Sequence, residues 1–416
     1  MRRRYRSGDQ KLLREINLST VLRRLYEGAP LSRARLADMT GLNKTTVSSL
    51  VEALFERGLV HRVGLDTSGG GRPATLLDLD PDAGCILGLA LGVDFVSVVL
   101  TDFSGQVRWR QRLEADPSEG QEAIIARILR LVDEARAANQ EQCAKRLLGL
   151  GLAVPGIVDV QDGVMIFSPN LQWRDVPFRQ ILHEHTDLPV FVDNDANAAA
   201  VGEHLFGVAR QAQNFVFIFA GVGIGGGLFL KGEIYRGATG FAGEIGHTNY
   251  LSESYRAPCR CGHRGCWETF VNQYSILRRV RSRLVVGRDS LIPGLMEGQD
   301  SPLTLPIILQ AADAGDAEAL GALSETGSAL GLGVANLVNI FNPEMVVVGG
   351  LLGAAGRHLL PAVEKAVAKT TLPELQQQAR ILLSAFGPDA SVMGAVALVI
   401  EAILSNPGSI QPIQGQ

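Results

Sequence analysis

The sequence predicts an α/β protein that carries an N-terminal winged helix-turn-helix. Two observations lead there. After Pro81, short apolar strand-like runs alternate with longer segments of helical spacing, the pattern of an α/β fold. Before it, three helical segments precede two strand-like runs around a glycine-rich loop, which is the element order of a winged helix. At 416 residues the chain is too long for one core, so two or three domains are expected. The boundaries fall at 1–82 for the head and 83–405 for the body. Residues 406–416, NPGSIQPIQGQ, read as a frayed tail.

In the head, Leu12, Ile16, Val21, Leu22 and Leu25 stand near helical spacing and place a first helix over 9–27. Gly28-Ala29-Pro30 ends it. Ser32 caps a second helix over 33–39, Gly41 makes the turn, and Asn43 caps a third that runs to about Arg57. Strands follow at 59–63 and 74–79. In the body, strands are expected at 86–93, 96–101, 107–113, 147–154, 190–192, 215–220, 228–230, 345–349 and 381–384. Helices are expected at 119–138, 194–205, 354–368 and 391–404, with 271–340 mostly helical. There is no repeat array.

The chain is 46% hydrophobic and 20% charged, which excludes a disordered protein. No apolar run reaches the roughly 18–20 residues of a membrane span, so no membrane association is expected. The basic start, MRRRYRSGDQKLLREIN, lacks the apolar core of a secretory signal. A cytoplasmic location is the default expectation. The net charge of −4 hides an asymmetry: residues 1–80 hold 14 Lys/Arg against 9 Asp/Glu, and the rest is acidic. A basic head on an acidic body points to a polyanionic partner, although a solvated basic face would give the same count.

The segment LSRARLADMTGLNKTTVSSLVEALFERGLV has the pattern of a helix-turn-helix. Leu36, Ala37 and Leu42 would pack the angle between helices, and Val47, Leu50, Val51 and Leu54 the buried stripe of the second. Asn43, Lys44, Thr45, Thr46, Ser48 and Ser49 are left facing outward near its N-terminus. Small hydroxyls and an amide there can reach base edges in a major groove, while Lys44 can hold a phosphate. Arg33 and Arg35 are placed for backbone contacts, and Arg72 in the GGGRP wing for a narrow minor groove. A three-helix packing module without nucleic acid would share the helices but not the wing and the charge. Double-stranded operator DNA is the expected partner.

Cys259, Cys261 and Cys266 lie within eight residues, in PCRCGHRGCWE, with His247 twelve residues upstream of the first, in GEIGH. Three thiolates and an imidazole make a closed tetrahedral site, so a structural Zn²⁺ is expected on His247, Cys259, Cys261 and Cys266. His263, inside the loop, is a weaker candidate. Zinc would order a loop too polar and glycine-rich to pack by itself.

GEIGH and CRCGHRGCWE resemble the signature of the ROK family of repressors and sugar kinases. The resemblance covers about 83–400, and the head with its GGGRP wing is similar to the regulator branch of that family. It implies a two-lobed, actin-like (ribonuclease-H-like) sugar-kinase fold. It also implies sugar contacts at Pro155, Gly156, Asn170, Asn194, Asp195, Glu244, His247 and Glu268. In the family's kinases the aspartate matching Asp195 is the general base. The residue chemistry agrees, since carboxylates and an amide accept and donate to the vicinal hydroxyls of a polyol. His247 could bind zinc through one ring nitrogen and present the other toward the sugar.

The sequence departs from the kinases at the first phosphate loop. Where they carry D-L-G-G-T-K, this chain has Ala90-Leu91-Gly92-Val93-Asp94-Phe95. The acid that manages Mg²⁺ is lost at Ala90. A side chain blocks backbone approach at Val93, an anion sits at Asp94, and the cation is replaced by Phe95. The later glycine loops, 220–227 and 346–350, keep their glycines, but Val222 stands where the kinases have threonine. A sugar-responsive regulator, more often a repressor, is therefore expected. It would bind a small sugar effector without phosphorylating it and act as a homodimer or homotetramer on paired half-sites. Asp195 then remains as a vestigial base. The alternatives are an active ATP-dependent sugar kinase with an added DNA-binding domain, and a regulator that senses a partner protein.

Overall fold

The computed structural model describes residues 10–66, 73–142, 145–249, 257–285, 289–296, 303–376 and 379–412. Helices α1 (Gln10–Gly28), α2 (Arg33–Thr40) and α3 (Lys44–Glu56) open the chain. The expected caps form: Ser32 Oγ accepts from the Arg35 N–H at 3.2 Å, and Asn43 Oδ1 from the Thr46 N–H at 2.8 Å. Gly41 takes the left-handed conformation, φ 72°, that turns α2 into α3. Strands Val60–Asp66 and Ala74–Leu79 pair as the hairpin. A two-residue strand, Leu31–Ser32, joins its free edge and was not expected from so short a run. Leu36, Ala37, Val47, Leu50, Val51 and Leu54 are buried as their spacing requires.

The body is built twice from one topology. In the first unit the strands lie in the spatial order Val190–Asn194, Leu147–Val154, Cys85–Leu91, Phe95–Asp102, Val107–Glu114. Its first three strands in sequence form an antiparallel meander, and the last two add in parallel to the other side. The second unit repeats the plan with Asn214–Ala220, Ile224–Leu230, Glu233–Ile234, Met345–Gly349 and Arg380–Leu383. Two such units are the two lobes of the actin-like fold. Helices α4 (Gln121–Gln142), α5 (Phe178–Thr186) and α6 (Asp195–Leu205) belong to the first half of the chain. They are followed by α7 (Glu268–Val271), α8 (Gln273–Val285), α9 (Ile292–Met296), α10 (Leu305–Asp313) and α11 (Ala317–Phe341). Helices α12 (Gly356–Thr370), α13 (Pro373–Gln376) and α14 (Ala390–Ser405) close the second. A small sheet of Ile157–Asp159, Val164–Ser168 and Trp173–Val176, together with α5, occupies a stretch where the sequence reading placed no element.

Helix α14 returns from the second lobe and lies across the first sheet and against α6. Backbone meets backbone there. A Cβ on Gly394 would stand 2.3 Å from the Ala198 carbonyl carbon of α6, and one on Gly151 would stand 1.8 Å from the Ala395 oxygen. Only glycine allows this approach. The segment Gly387–Ser405 is long and apolar enough to cross a membrane by length and composition, which corrects the expectation that no run reaches that length. Its apolar residues have another use: most of the segment, 67% of an 18-residue window, is buried inside the fold.

Head and body share one core. Leu18, Val21, Leu22 and Leu25 of α1 pack in the same cluster as Val396, Ile400, Ile403 and Leu404 of α14. Polar contacts pin the seam. Ser19 Oγ donates to the Leu404 carbonyl at 2.7 Å, Arg23 pairs with Glu401, and the Tyr26 hydroxyl donates to the Leu205 carbonyl of α6 at 2.9 Å. Arg146 donates to the carbonyls of Arg57, Ala83 and Gln411, so it ties the head, the linker and the C-terminal segment to the first sheet. Two expectations change as a result. The first part of the supposed tail is folded: Pro407–Ser409 forms a helical turn against α1, and Pro407 and Ile410 are buried. Leu12 and Ile16, read as core, lie exposed with Leu13, because α1 begins beyond the edge of the body.

Gly394→Val should cost about 3 kcal/mol by overpacking. It is checked by chemical denaturation, and an unchanged midpoint would contradict the backbone contact.

Candidate functional site

The cleft between the lobes is lined from both sides. The first lobe supplies Pro155 and Gly156 after strand Leu147–Val154, and Asn170 after Val164–Ser168. It also supplies Asn194 and Asp195, where strand Val190–Asn194 turns into α6. The second supplies the glycine turn 221–225, Leu351, Glu244 and His247. Seven of the eight expected sugar contacts therefore meet in one cavity of about 120 Å³. Glu268 is the exception. It is buried, 6% exposed, and lines an adjoining cavity of about 230 Å³ behind Asn170 and Val222. Gly223 stands between the two: a Cβ on it would lie 3.0 Å from Asn170 Nδ2 and 3.1 Å from Glu268 Oε2.

Asn194 caps α6, accepting the N–H groups of Ala196 and Asn197 at 2.9 and 3.2 Å while its amide donates to the Gly156 carbonyl at 3.0 Å. That cap fixes the turn on which Asp195 sits. Burial raises the Asp195 carboxyl to about 7, and the nearby Glu244 carboxylate adds to the rise, against the hydrogen bond from the Ala196 N–H. One residue upstream, buried Asp193 holds Arg236 of the second lobe through two bonds of 3.0 and 2.6 Å. This inter-lobe clamp beneath the cleft was not found by the sequence reading. A lone acid ending the apolar strand VFVDN was the available signal for Asp193, and nothing marked Arg236.

On the opposite side of the cleft, the Phe95 ring lies on the backbone of Gly92, where a Cβ would meet its Cε1 at 2.2 Å. The Arg112 guanidinium covers the other face, 3.6 Å from the ring centroid. The one glycine left in that loop is thus covered by a side chain from the same loop.

His247 and the three cysteines converge. Their ligand atoms lie within 4.8 Å of one another, with Cys261 Sγ to Cys266 Sγ and His247 Nδ1 to Cys259 Sγ both at 3.7 Å. A tetrahedral ion with metal–sulfur bonds of ~2.3 Å has sulfur–sulfur edges of ~3.8 Å. The donor set fits a metal ion of that size. Burial pushes the Cys259 and Cys266 thiols up, whereas hydrogen bonds led by the His263 backbone outweigh burial and bring Cys261 down to about 7. The loop is anchored by buried Trp267, whose Nε1 donates to the Ala329 carbonyl of α11 at 3.0 Å. His247 Nε2 faces Glu244 Oε2 at 3.6 Å, so the ring has one nitrogen toward the cysteines and one toward the cleft. His263 is exposed and stands outside the four-residue group.

In the head, Lys44, Thr45 and Ser49 are exposed at the start of α3, and Thr46 and Ser48 are half-buried. The Asn43 carboxamide is committed to its cap, and Ser48 Oγ donates to the Lys44 carbonyl at 2.9 Å. Arg35 is exposed, and Arg33 is half-buried and paired with Glu52 at 2.5 Å. Arg72 lies outside the described residues. Arg62, exposed on the hairpin and 5.3 Å from the Phe55 ring centroid, is a further cation on this face that sequence reasoning passed over.

A helix-turn-helix head thus sits on an actin-like sugar-kinase body. The chain belongs to the ROK family, which matches residues 86–402. An IclR helix-turn-helix domain matches residues 17–64. The chain is similar to a putative xylose repressor from Caldicellulosiruptor sp. (strain Rt8B.4), 35% identical over 403 residues, 96% of this chain and 99% of that protein. It is also similar to a glucokinase from Halalkalibacterium halodurans, 34% identical over 313 residues, 75% of this chain and 94% of that one. A solved ROK family transcriptional regulator, described as a homolog of the E. coli MLC protein, superposes with a TM-score of 0.81. It is 26% identical and covers 94% of this chain, with 97% of its own length matched.

Two outcomes are expected. Cys261→Ser should lose tightly bound metal that the wild type retains after dialysis, read by elemental analysis. Asp195→Asn should raise the melting temperature at about pH 8, with the gain shrinking as pH falls toward ~4. The unfolded aspartate ionises above ~4 while the folded one resists until about 7, so its stability deficit builds over that interval and persists above it.

Proposed function

We propose that this chain is a sugar-responsive DNA-binding regulator, acting as a repressor, whose body binds a sugar effector without phosphorylating it. One observation carries the reading: a winged helix-turn-helix shares a continuous core with a body whose inter-lobe cleft gathers Asn170, Asn194, Asp195, Glu244 and His247. The repressor relatives, matched along nearly their whole length, support the same reading.

In this reading the acids and amides of the cleft bind sugar hydroxyls. Asp195 serves as a hydrogen-bonding partner; its raised pKa makes it a donor below about 7 and an acceptor above. Zn²⁺ is the metal that the cluster of three thiolates and an imidazole suits best, and its role is structural: four protein ligands leave no open position. When bound, it holds the loop that presents His247 and fixes the ring so that Nε2 faces the sugar.

Phosphoryl transfer depends on positioning phosphate and metal charge. Ala90 in place of the acid, and the Phe95 ring against Gly92 with Arg112 beside it, support loss of phosphate binding on the nucleotide side. The glucokinase likeness and the retained Asp195 favour a second reading, an active kinase, and the covered glycine opposes it.

Signal passes along α6. Its N-terminus carries Asp195, its C-terminal Leu205 carbonyl is held by Tyr26 of α1, and α14 packs on both helices. A sugar that binds the closed lobes better than the open ones shifts α6 and α14 and, with them, the head. In the cytoplasm, two heads of a homodimer or homotetramer would meet the two half-sites of an operator. Exposed Lys44, Thr45 and Ser49 are then the residues nearest the bases and phosphates.

The test is DNA binding of the full chain to the promoter region beside its own gene, titrated with a panel of pentoses and hexoses. The expected result is release by at least one sugar, lost in Asp195→Ala, with no ADP formed when ATP and Mg²⁺ are present. Binding that ignores every sugar would contradict the sensor, and sugar-dependent ADP would establish the kinase reading.

A further inference from the structure

A second cavity of about 230 Å³ lies beside the sugar cleft, and the two share Asn170 and Val222 among their lining residues. Its chemistry differs from that of the cleft. Arg260 and Arg278 line it, both exposed, as does Tyr274, 47% exposed. Each arginine spends one N–H on a backbone carbonyl at long range. Arg260 Nη1 donates to the Asn170 oxygen at 3.3 Å, and Arg278 Nη2 to the Thr269 oxygen at 3.4 Å. Among the described residues no carboxylate is within ion-pair distance of either guanidinium. The one acid among the lining residues, Glu268, is buried, with Oε2 accepting from the Ile224 N–H at 3.4 Å and Oε1 lying 2.8 Å from Cys259 Sγ.

The arginines are also placed by rigid parts. Arg260 lies between two of the clustered cysteines, and its guanidinium sits 6.0 Å from the Tyr274 ring centroid. Tyr274 and Arg278 lie one turn apart on α8, so they face the same side. Two unpaired forks with most of their donors free suit an anion. An open aromatic face beside them suits the apolar face of a sugar ring. Neither feature is needed by a neutral monosaccharide held in the main cleft.

We propose that the effector extends beyond one neutral ring. Its first sugar occupies the main cleft, and a second, acidic unit lies in the adjoining cavity on Tyr274, its anionic group held by Arg260 and Arg278. This rests on the sugar-sensing reading of the cleft. The anion could be the carboxylate of a uronic acid or a phosphate ester; the cavity's room for a ring and the exposed tyrosine favour the uronate.

Calorimetry on the full, zinc-loaded chain separates the possibilities, using glucose, glucose 6-phosphate, cellobiose and cellobiouronic acid as probes. Cellobiouronic acid is expected to bind at least about tenfold more tightly than cellobiose, a gap of ~1.4 kcal/mol, narrowing as salt screens the pair. The R260Q/R278Q variant should erase that gap and leave glucose affinity unchanged, which a misfolded loop would not do. Tyr274→Ala should weaken both disaccharides and spare glucose. A gap seen with glucose 6-phosphate and not with the uronate would support the anion site and assign it to a phosphate ester. Equal affinity for acidic and neutral probes, or a gap that survives R260Q/R278Q, would overturn the proposal while glucose binding kept the sensor reading intact. Failure of every probe to bind would overturn the proposal, while the sensor reading stands or falls with the pentose and hexose panel.

Discussion

Helix α14 approaches the first sheet at Gly151 and α6 at Gly394 so closely that carbonyl oxygens occupy the places of side chains. The helix starts from the second lobe, crosses the first, and ends against α1 of the head. Close packing makes such a contact stiff, because interiors at crystal-like density transmit displacement instead of absorbing it. The cleft, the interface between the lobes and the seat of the DNA-binding head therefore all rest on the placement of this one helix.

From that placement the rest follows by short steps. Helix α6 lies under α14 with Asn194 and Asp195 at its cleft end and Leu205 at the end held by Tyr26. Asp193, one residue before the cap, clamps Arg236 of the opposite lobe. A ligand that draws Glu244 and His247 toward Asp195 acts on a hinge already bridged by this ion pair. The cysteine loop enters as a support. It is fixed by Trp267 against α11, its three cysteines converge with His247, and His247 and Arg260 stand at the edges of two neighbouring cavities. Across the cleft, the Phe95 ring lies against Gly92 and the Arg112 guanidinium stands 3.6 Å from its centroid.

Much of this was legible in the sequence because it is written in residue chemistry. Cysteine and histidine spacing placed the metal cluster, and cap residues placed the ends of α2 and α3. Ala90, Val93, Asp94 and Phe95 were visible as residue types, but the position of the Phe95 ring against Gly92 was not. What escaped was set by tertiary contacts. The strands of the small sheet over 157–176 are three to five residues long, too short for periodicity to mark. Leu12 and Ile16 have the spacing of core residues, but nothing local says where the body ends. Residues 406–410 read as a tail because proline, glycine and serine are frequent there, while their burial comes from α1, nearly four hundred residues away. Glu268 was grouped with the cleft by resemblance, and the fold turns it behind Gly223.

The central claim is that a sugar in the cleft is felt at the head through α6 and α14. Amide hydrogen exchange of the full chain, with and without a bound sugar, tests it most directly. The account predicts altered protection at the end of α1, around Tyr26, and over the last turn of α14, in addition to the cleft. Changes confined to the cleft loops, with α1 and α14 exchanging at the same rates in both states, would contradict it.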